Sequence, residues 1–323
     1  MANPIEKLGD EAVAAKGWYG AHKWLLLRRS SQLAILLLFL LGPWVGIWIV
    51  KGNLASSLTL DILPLTDPYL LLQSLLAGHV MESTAVIGAV IVLVFYLLVG
   101  GRVYCSWVCP VNLVTDAADW AGRRFKSRRG ARFSRKTRYW ILGMTLVLAA
   151  VTGSLAWELV NPVSMVFRGL VYGPQYGTAT PAEDPTLAMA LDGLVTGMGL
   201  AWGIVLAVFL FDLFVSKRGW CGYLCPVGAF YSLLGRFSLL RVSAVERSKC
   251  DDCLECFIVC PEPQVIRPAL KGEAMGNGPV IMSPNCTNCG RCVDICAEDV
   301  FSFSTRFNQE PKATAIKPEM RSV

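Results

Sequence analysis

The chain has 323 residues, of which 54% are hydrophobic and only 17% charged, with a formal net charge of +6. Soluble domains carry about 25% charged residues, so a disordered chain and a single soluble globule are both excluded. Twelve cysteines are a second anomaly; the length and the apolar runs exclude a small secreted disulfide scaffold, which leaves a membrane protein with a cysteine-rich chemical part.

Residues 1–30 read as a cytoplasmic segment. The apolar run that follows is too long for a cleavable signal peptide and has no small-x-small site after it, so Arg28-Arg29 reads as an anchor. Uncharged runs of 21, 19, 19 and 19 residues lie between Arg29 and Lys51, Glu82 and Arg102, Arg138 and Glu158, and Asp192 and Asp212. A bilayer core about 30 Å thick needs about 20 residues of helix. Residues 31–240 are therefore expected to form an all-α unit of four transmembrane helices, with Pro43 tolerated inside the first. Residues 68–78, PYLLLQSLLAG, read either as a half-helix or as an early start to the second span.

Lys and Arg alternate between the intervening segments: five in 1–30, one in 51–82, ten in 101–138, one in 158–192 and six in 216–249. The positive-inside bias then puts the N- and C-termini in the cytoplasm of a multi-pass inner-membrane protein. Its basic face would meet anionic membrane lipid; nucleic acid is not an expected partner.

The chain repeats itself once. Arg102-Val-Tyr-Cys105-Ser-Trp-Val-Cys109-Pro110-Val111 follows the second run, and Arg218-Gly-Trp-Cys221-Gly-Tyr-Leu-Cys225-Pro226-Val227 follows the fourth, 116 residues on. The four-helix unit thus reads as two repeated two-helix units whose motifs meet. Small residues (Gly100, Gly101, Gly219, Gly222) would let the backbones approach, and Tyr104, Trp107, Trp220 and Tyr223 would screen the sulfurs. A C-x3-C spacing on a helix puts both thiols on one face. Each proline suits a helix start and discourages helix just before it, so each span is expected to break there and continue as a helix in the interface. Three readings are open for Cys105, Cys109, Cys221 and Cys225: joint ligation of an additional iron–sulfur centre, a redox-active dithiol pair, or another metal or a structural role.

From Cys250 the composition changes, and the tail 250–323 is soluble-like. Cys250, Cys253, Cys256 and Cys260 stand in C-x2-C-x2-C-x3-C spacing, and so do Cys286, Cys289, Cys292 and Cys296. This resembles the two-cluster bacterial ferredoxin signature, in which the fourth cysteine serves the other cluster. The resemblance implies a small α+β domain, 241–323, in which Cys250, Cys253, Cys256 and Cys296 hold one [4Fe-4S] cluster and Cys286, Cys289, Cys292 and Cys260 the other. Structural zinc favours separated pairs with His allowed, whereas here three cysteines crowd into seven residues twice and the tail has no His. A reducing compartment disfavours disulfides. Ala297 stands where Pro261 follows the other motif.

The whole pattern resembles the membrane-bound quinol dehydrogenase subunit of periplasmic nitrate reductase systems, the NapH type. KWLLLRRSSQLAIL at the first span is similar to that family's entry. The resemblance implies that electrons come from menaquinol or ubiquinol and pass, with a peripheral ferredoxin subunit of the NapG type and a c-type cytochrome, toward a periplasmic reductase. The chain would then be a component of a quinol dehydrogenase rather than a self-sufficient enzyme. Two relatives with the same core carry an added flavin or immunoglobulin-like domain for which this sequence leaves no room; the methylamine-utilisation ferredoxin type, with no direct quinol oxidation, is the alternative. For the quinol site, His79 and Glu82 are the candidates, three apart on an expected helix face. Glu158, Asn161 and Arg168 border the third span on the same side and read equally as ordinary interfacial residues.

Overall fold

The structure is a computed structural model that describes residues 8–125, 130–131, 133–176 and 199–308. The segment expected to join the third and fourth spans, with the start of the fourth, lies in part outside them.

Helix α1, Asp10–Val45, is the one helix among the described residues long and apolar enough to cross a membrane by length and composition. It contains Pro43 and breaks its helical geometry at Gly17 (φ 74°, ψ 164°). Three short strands follow, β1 Val50–Gly52, β2 Ser56–Thr59 and β3 Leu63–Thr66, paired antiparallel in that order. Helix α2, Pro68–Leu76, starts with proline at its first position, and Asp67 Oδ1 caps it by accepting from Tyr69 N–H at 3.0 Å. Helix α3, Ser83–Val99, comes next. Residues 68–76 thus form a separate half-helix, and residues 77–78 turn the chain after it.

The 51–82 segment is structured, holding β1–β3 and α2. Strand β3 lies so close to α3 that a Cβ on Gly88 would meet the Pro64 backbone at 3.0 Å. The chain then runs on to Asp67, which meets the Tyr231 ring carried next to Tyr96. Eight residues of helix separate Gly88 from Tyr96, about 12 Å of rise. The hairpin therefore dips alongside the helices and α2 returns. Hairpin pairing satisfies its own backbone groups, which a single extended strand could not do away from water.

Each repeat motif forms one wide turn of π-helix, Tyr104–Val108 and Trp220–Leu224, rather than the α-helical turn expected. Cys109 N–H donates to the Tyr104 carbonyl at 3.0 Å, and Cys225 N–H to the Trp220 carbonyl at 2.9 Å. The following prolines hold both cysteines in extended geometry (ψ 119° and 113°). Helices α4, Val111–Arg124, and α8, Pro226–Gly235, leave these turns. Between them come α5, Thr137–Thr152, α6, Pro162–Tyr176, and α7, Gly199–Phe214. Helix α6 lies in the stretch read as a link after the third span. The two repeats exchange partners: α4 packs along α7, and α8 packs on α3 and α5. Helix α8 is largely buried rather than lying free at an interface, with Pro226, Val227, Gly228, Ala229, Tyr231 and Ser232 all inside. Gly101 permits this, because a Cβ there would run into the Tyr231 carbonyl and the Gly235 backbone, whereas Gly222 has nothing within 4 Å.

The tail is a small α+β domain: β4 Leu240–Ser243 pairs antiparallel with β5 Ser302–Thr305, and short helices α9 Glu255–Val259, α10 Ile266–Lys271 and α11 Arg291–Ile295 fill between them. It is bound to α1. Asp294 accepts from the Trp24 and Leu25 backbone N–H groups at 3.0 and 2.9 Å, and Lys16 donates to the Val293 carbonyl at 3.0 Å.

Candidate iron–sulfur centres

All twelve cysteines are free thiols. The fold gathers them into three groups of four, each lining a shared small cavity. Cys250, Cys253 and Cys256 meet Cys296 among Leu270, Val300 and Phe301. Cys260 joins Cys286, Cys289 and Cys292 among Val265, Ile266 and Ile281. Cys105, Cys109, Cys221 and Cys225 meet one another against Trp220 and Asn161. The tail crossover is built by α9 and α11, each of which begins after a left-handed residue (Leu254, Gly290) and ends just before the cysteine that crosses to the other group. Among the described residues no three His, Cys, Asp or Glu side chains converge on a single-ion site. Four thiols spread around one cavity suit a multi-atom cluster, whose ligands stand further apart than those of one tetrahedral ion.

Burial pushes the Cys256 thiol up to about 12, with Cys253 and Cys296 adding to the rise, and pushes Cys286 up to about 11. Such thiols are ionised by coordination. Burial would raise Cys289 too, but Arg28 and Arg291 beside it hold it below the usual thiol range.

Buried ion pairs fasten the groups together. Arg102 Nη1 donates to Glu262 Oε1 at 2.8 Å and to the Asn285 carbonyl at 2.9 Å, while its Nη2 reaches the Cys221 carbonyl at 3.2 Å. Arg218, the equivalent residue of the second repeat, stands 3.0 Å from Asp116, which also pairs with Arg291 and Arg29. Burial alone would raise Asp116, yet Arg218, Arg291 and Arg29 hold it far below the usual carboxylate range. A narrow cavity walled by Cys105, Cys221, Glu262 and Cys289 separates the repeat cysteines from the nearer tail group.

The remaining candidates fare differently. His79 and Glu82 do not share a helix face: His79 lies in the non-helical link after α2, where Gly78 turns the chain with φ 81°, and Glu82 is the cap before α3. Both are exposed, and neither lines a cysteine cavity. Asn161 caps α6, accepting from Val163 N–H at 3.2 Å and donating to Glu158 at 3.0 Å; Arg168 is exposed. Asp67, which caps α2 and accepts from Tyr231 Oη, is not among the residues expected from the sequence. The Asp-Pro step before an apolar run is a helix-start signal that could have flagged it.

The profile of a 4Fe-4S binding domain matches residues 84–129 and again 198–243, one match for each repeat, and that of a 4Fe-4S dicluster domain matches residues 244–297. The protein is an iron–sulfur electron-transfer protein of the ferredoxin type. It is 52% identical over 91% of its length to the methylamine utilization ferredoxin-type protein MauN of Paracoccus denitrificans, covering 95% of that chain. It is 45% identical over 97% of its length to the ferredoxin-type protein NapH of Escherichia coli, covering all of it, and 43% identical over 95% to NapH of Haemophilus influenzae, covering 99%. The chain belongs to the NapH/MauN family of ferredoxin-type proteins. No solved structure matches it.

Proposed function

We propose that this chain is the membrane-embedded subunit of a quinol dehydrogenase, taking electrons from menaquinol or ubiquinol and passing them through iron–sulfur centres to partner redox proteins. One observation carries this reading: the repeat cavity, the cavity behind it and the nearer tail cavity share walls in series, with Cys105 and Cys221 common to the first two and Cys289 and Glu262 to the last two. In this reading Cys250, Cys253, Cys256 and Cys296 hold one [4Fe-4S] cluster and Cys260, Cys286, Cys289 and Cys292 a second. Cys105, Cys109, Cys221 and Cys225 hold a third centre, which the two single-domain profile matches support. When bound, such centres accept and donate electrons one at a time. The chain's own residues hold them apart at short range, keep water out, and set their charge through Arg28, Arg291 and Arg102.

A multi-pass membrane unit over 31–240, between the N-terminal segment 1–30 and the ferredoxin domain 241–323, is supported by outward apolar faces. Leu33, Leu37 and Trp44 on α1, Val90, Val94 and Leu98 on α3, Met144, Val147 and Val151 on α5, and Leu206, Leu210 and Phe214 on α7 are all exposed. Contiguous exposure on this scale marks a surface that meets something other than water. The N-terminal part of α1 docks on the tail, so both share one side, the cytoplasmic one by the positive-inside bias.

The partners follow the NapH relatives: a NapG-type ferredoxin subunit and a c-type cytochrome leading to a periplasmic nitrate reductase. The higher identity to a MauN protein favours a second reading, service in methylamine utilisation. EPR-monitored redox titration of the purified protein, before and after addition of menadiol, tests the proposal. Quinol-dependent reduction of the tail clusters supports it; clusters reduced by dithionite but never by a quinol would overturn it.

A further inference from the structure

A cavity of about 430 Å³ lies between α1, α3 and the re-entrant hairpin. That is the size of a small-molecule site, and its walls are mostly apolar, with Phe39, Leu54, Val92 and Phe95 among them. Leu38, Ile91 and Phe95 line the cavity and are also exposed on the outer apolar faces of α1 and α3, so it opens toward that surface. Its inner end is polar. Asp67, partly buried, accepts from Tyr231 Oη and from Tyr69 N–H, both at 3.0 Å and both on Oδ1. Among the described residues Oδ2 receives no hydrogen bond. The Tyr231 ring stacks 4.9 Å from that of Tyr104. Tyr104 walls both this cavity and the one that the four repeat cysteines share.

We infer that this cavity is the quinol site, with the isoprenoid tail leaving between α1 and α3 and the quinol hydroxyl meeting the free oxygen of Asp67. The inference rests on the quinol reading above and adds to it the place and the base. A membrane ligand needs an apolar slot, a carboxylate in the membrane is functional by default, and here Asp67 lies in the wall of the slot, while Tyr104 walls both the slot and the cavity of the repeat cysteines. Oxidation of a quinol releases two protons and two electrons. The O–H bond facing Asp67 breaks first, its proton passing to Oδ2 while one electron would pass beyond Tyr104 to a centre held by the repeat cysteines; the quinol then turns to present its second hydroxyl, para to the first, and the same transfer would repeat. Asp67 discharges its proton to solvent between the two transfers, and the quinone leaves by the opening it entered.

The test uses the full chain in proteoliposomes, with menadiol as donor, dithionite as a quinol-independent reductant, and a photoreactive azidoquinone. Menadiol should reduce the clusters of Asp67→Asn about 10²-fold more slowly than wild type, the usual worth of a positioned general base. KM should be little changed, dithionite reduction equal, and Asp67→Glu should regain part of the rate. Val92→Trp, which fills the cavity, should raise KM and abolish labelling. In the wild-type chain the azidoquinone should label peptides from α1 or α3, a readout that does not depend on any variant assembling. Wild-type rates in both Asp67→Asn and Val92→Trp, or labelling confined to other helices, would overturn the site while leaving quinol oxidation standing. A wild-type chain that menadiol never reduces removes the quinol reading and the site together.

Discussion

Arg102 and Glu262 stand 2.8 Å apart with side chains only 2% exposed, one from the first repeat motif and the other two residues beyond a tail cysteine. Arg138 meets the same Glu262 oxygen at 3.2 Å, and Arg135 reaches the other. Removing one partner of a buried ion pair costs about 3–5 kcal/mol, because the remaining charge is left without compensation. Glu262→Gln should therefore lower the thermal bleaching midpoint of the iron–sulfur absorbance and release the cluster nearest Cys260 first. Bleaching like that of wild type would show that the arginines find other partners.

Asp116 gives a pH test. Its carboxyl is held far below the usual range, so its stabilising contribution is fully present above the unfolded value of about 3.9 and is lost only as pH falls below it. The stability gap between wild type and Asp116→Asn, read by tryptophan fluorescence during unfolding in detergent, should stay constant from pH 8 to pH 5 and narrow below about pH 4. A gap that closes between pH 7 and pH 5 would contradict the three-arginine cage.

Iron content separates the centres. Two cubanes bind about eight iron atoms per chain; a larger number, lost when Cys105 and Cys221 are both replaced by Ser, reports the third. Cys253→Ser should cost one tail cluster. Any single Cys→Ser change in the repeat should block transfer from quinol to the tail while the tail clusters remain assembled. Normal transfer in all four would leave the repeat cysteines only a bracing role.

Gly101→Ala tests the approach of the two repeats. The added methyl must displace the Tyr231 carbonyl or the Gly235 backbone, which α8 cannot yield without moving Cys225. We expect loss of the repeat centre by EPR with near-normal tail spectra. Gly222→Ala, with open space around it, should change neither.

Sidedness can be read with an impermeant thiol reagent on the apo protein. Tail cysteines should label in inverted vesicles and not in intact cells. The reverse would place the ferredoxin domain in the periplasm.

The cysteine chemistry was legible because spacing along the chain is itself the constraint: three thiols within seven residues can close only on one loop. The repeat was legible for the same reason. What was not legible depended on contacts distant in sequence. Asp67 becomes a candidate only once a hairpin brings it to Tyr231, 164 residues away. The shared helix face expected of His79 and Glu82 does not form, because helical spacing has no meaning in a link that is not helical. The π-turns were hidden because hydrophobic periodicity cannot resolve one extra residue in a single turn. Helix α6 was hidden because its polar face and Arg168 interrupt the apolar signal on which the spans were read.

The anchoring of the tail to α1 governs how it can exchange electrons. A soluble ferredoxin diffuses between donor and acceptor. This one is held by Asp294 on the Trp24 and Leu25 amides and by Lys16 on the Val293 carbonyl. Held in this way it is a fixed terminal rather than a carrier, so any redox partner would have to come to it. The cysteine group furthest from the repeat ends at Cys253, the one cysteine of the twelve that is exposed. A visiting protein would find its shortest path there, beside the exposed Asp251 and the Asp252–Lys271 ion pair.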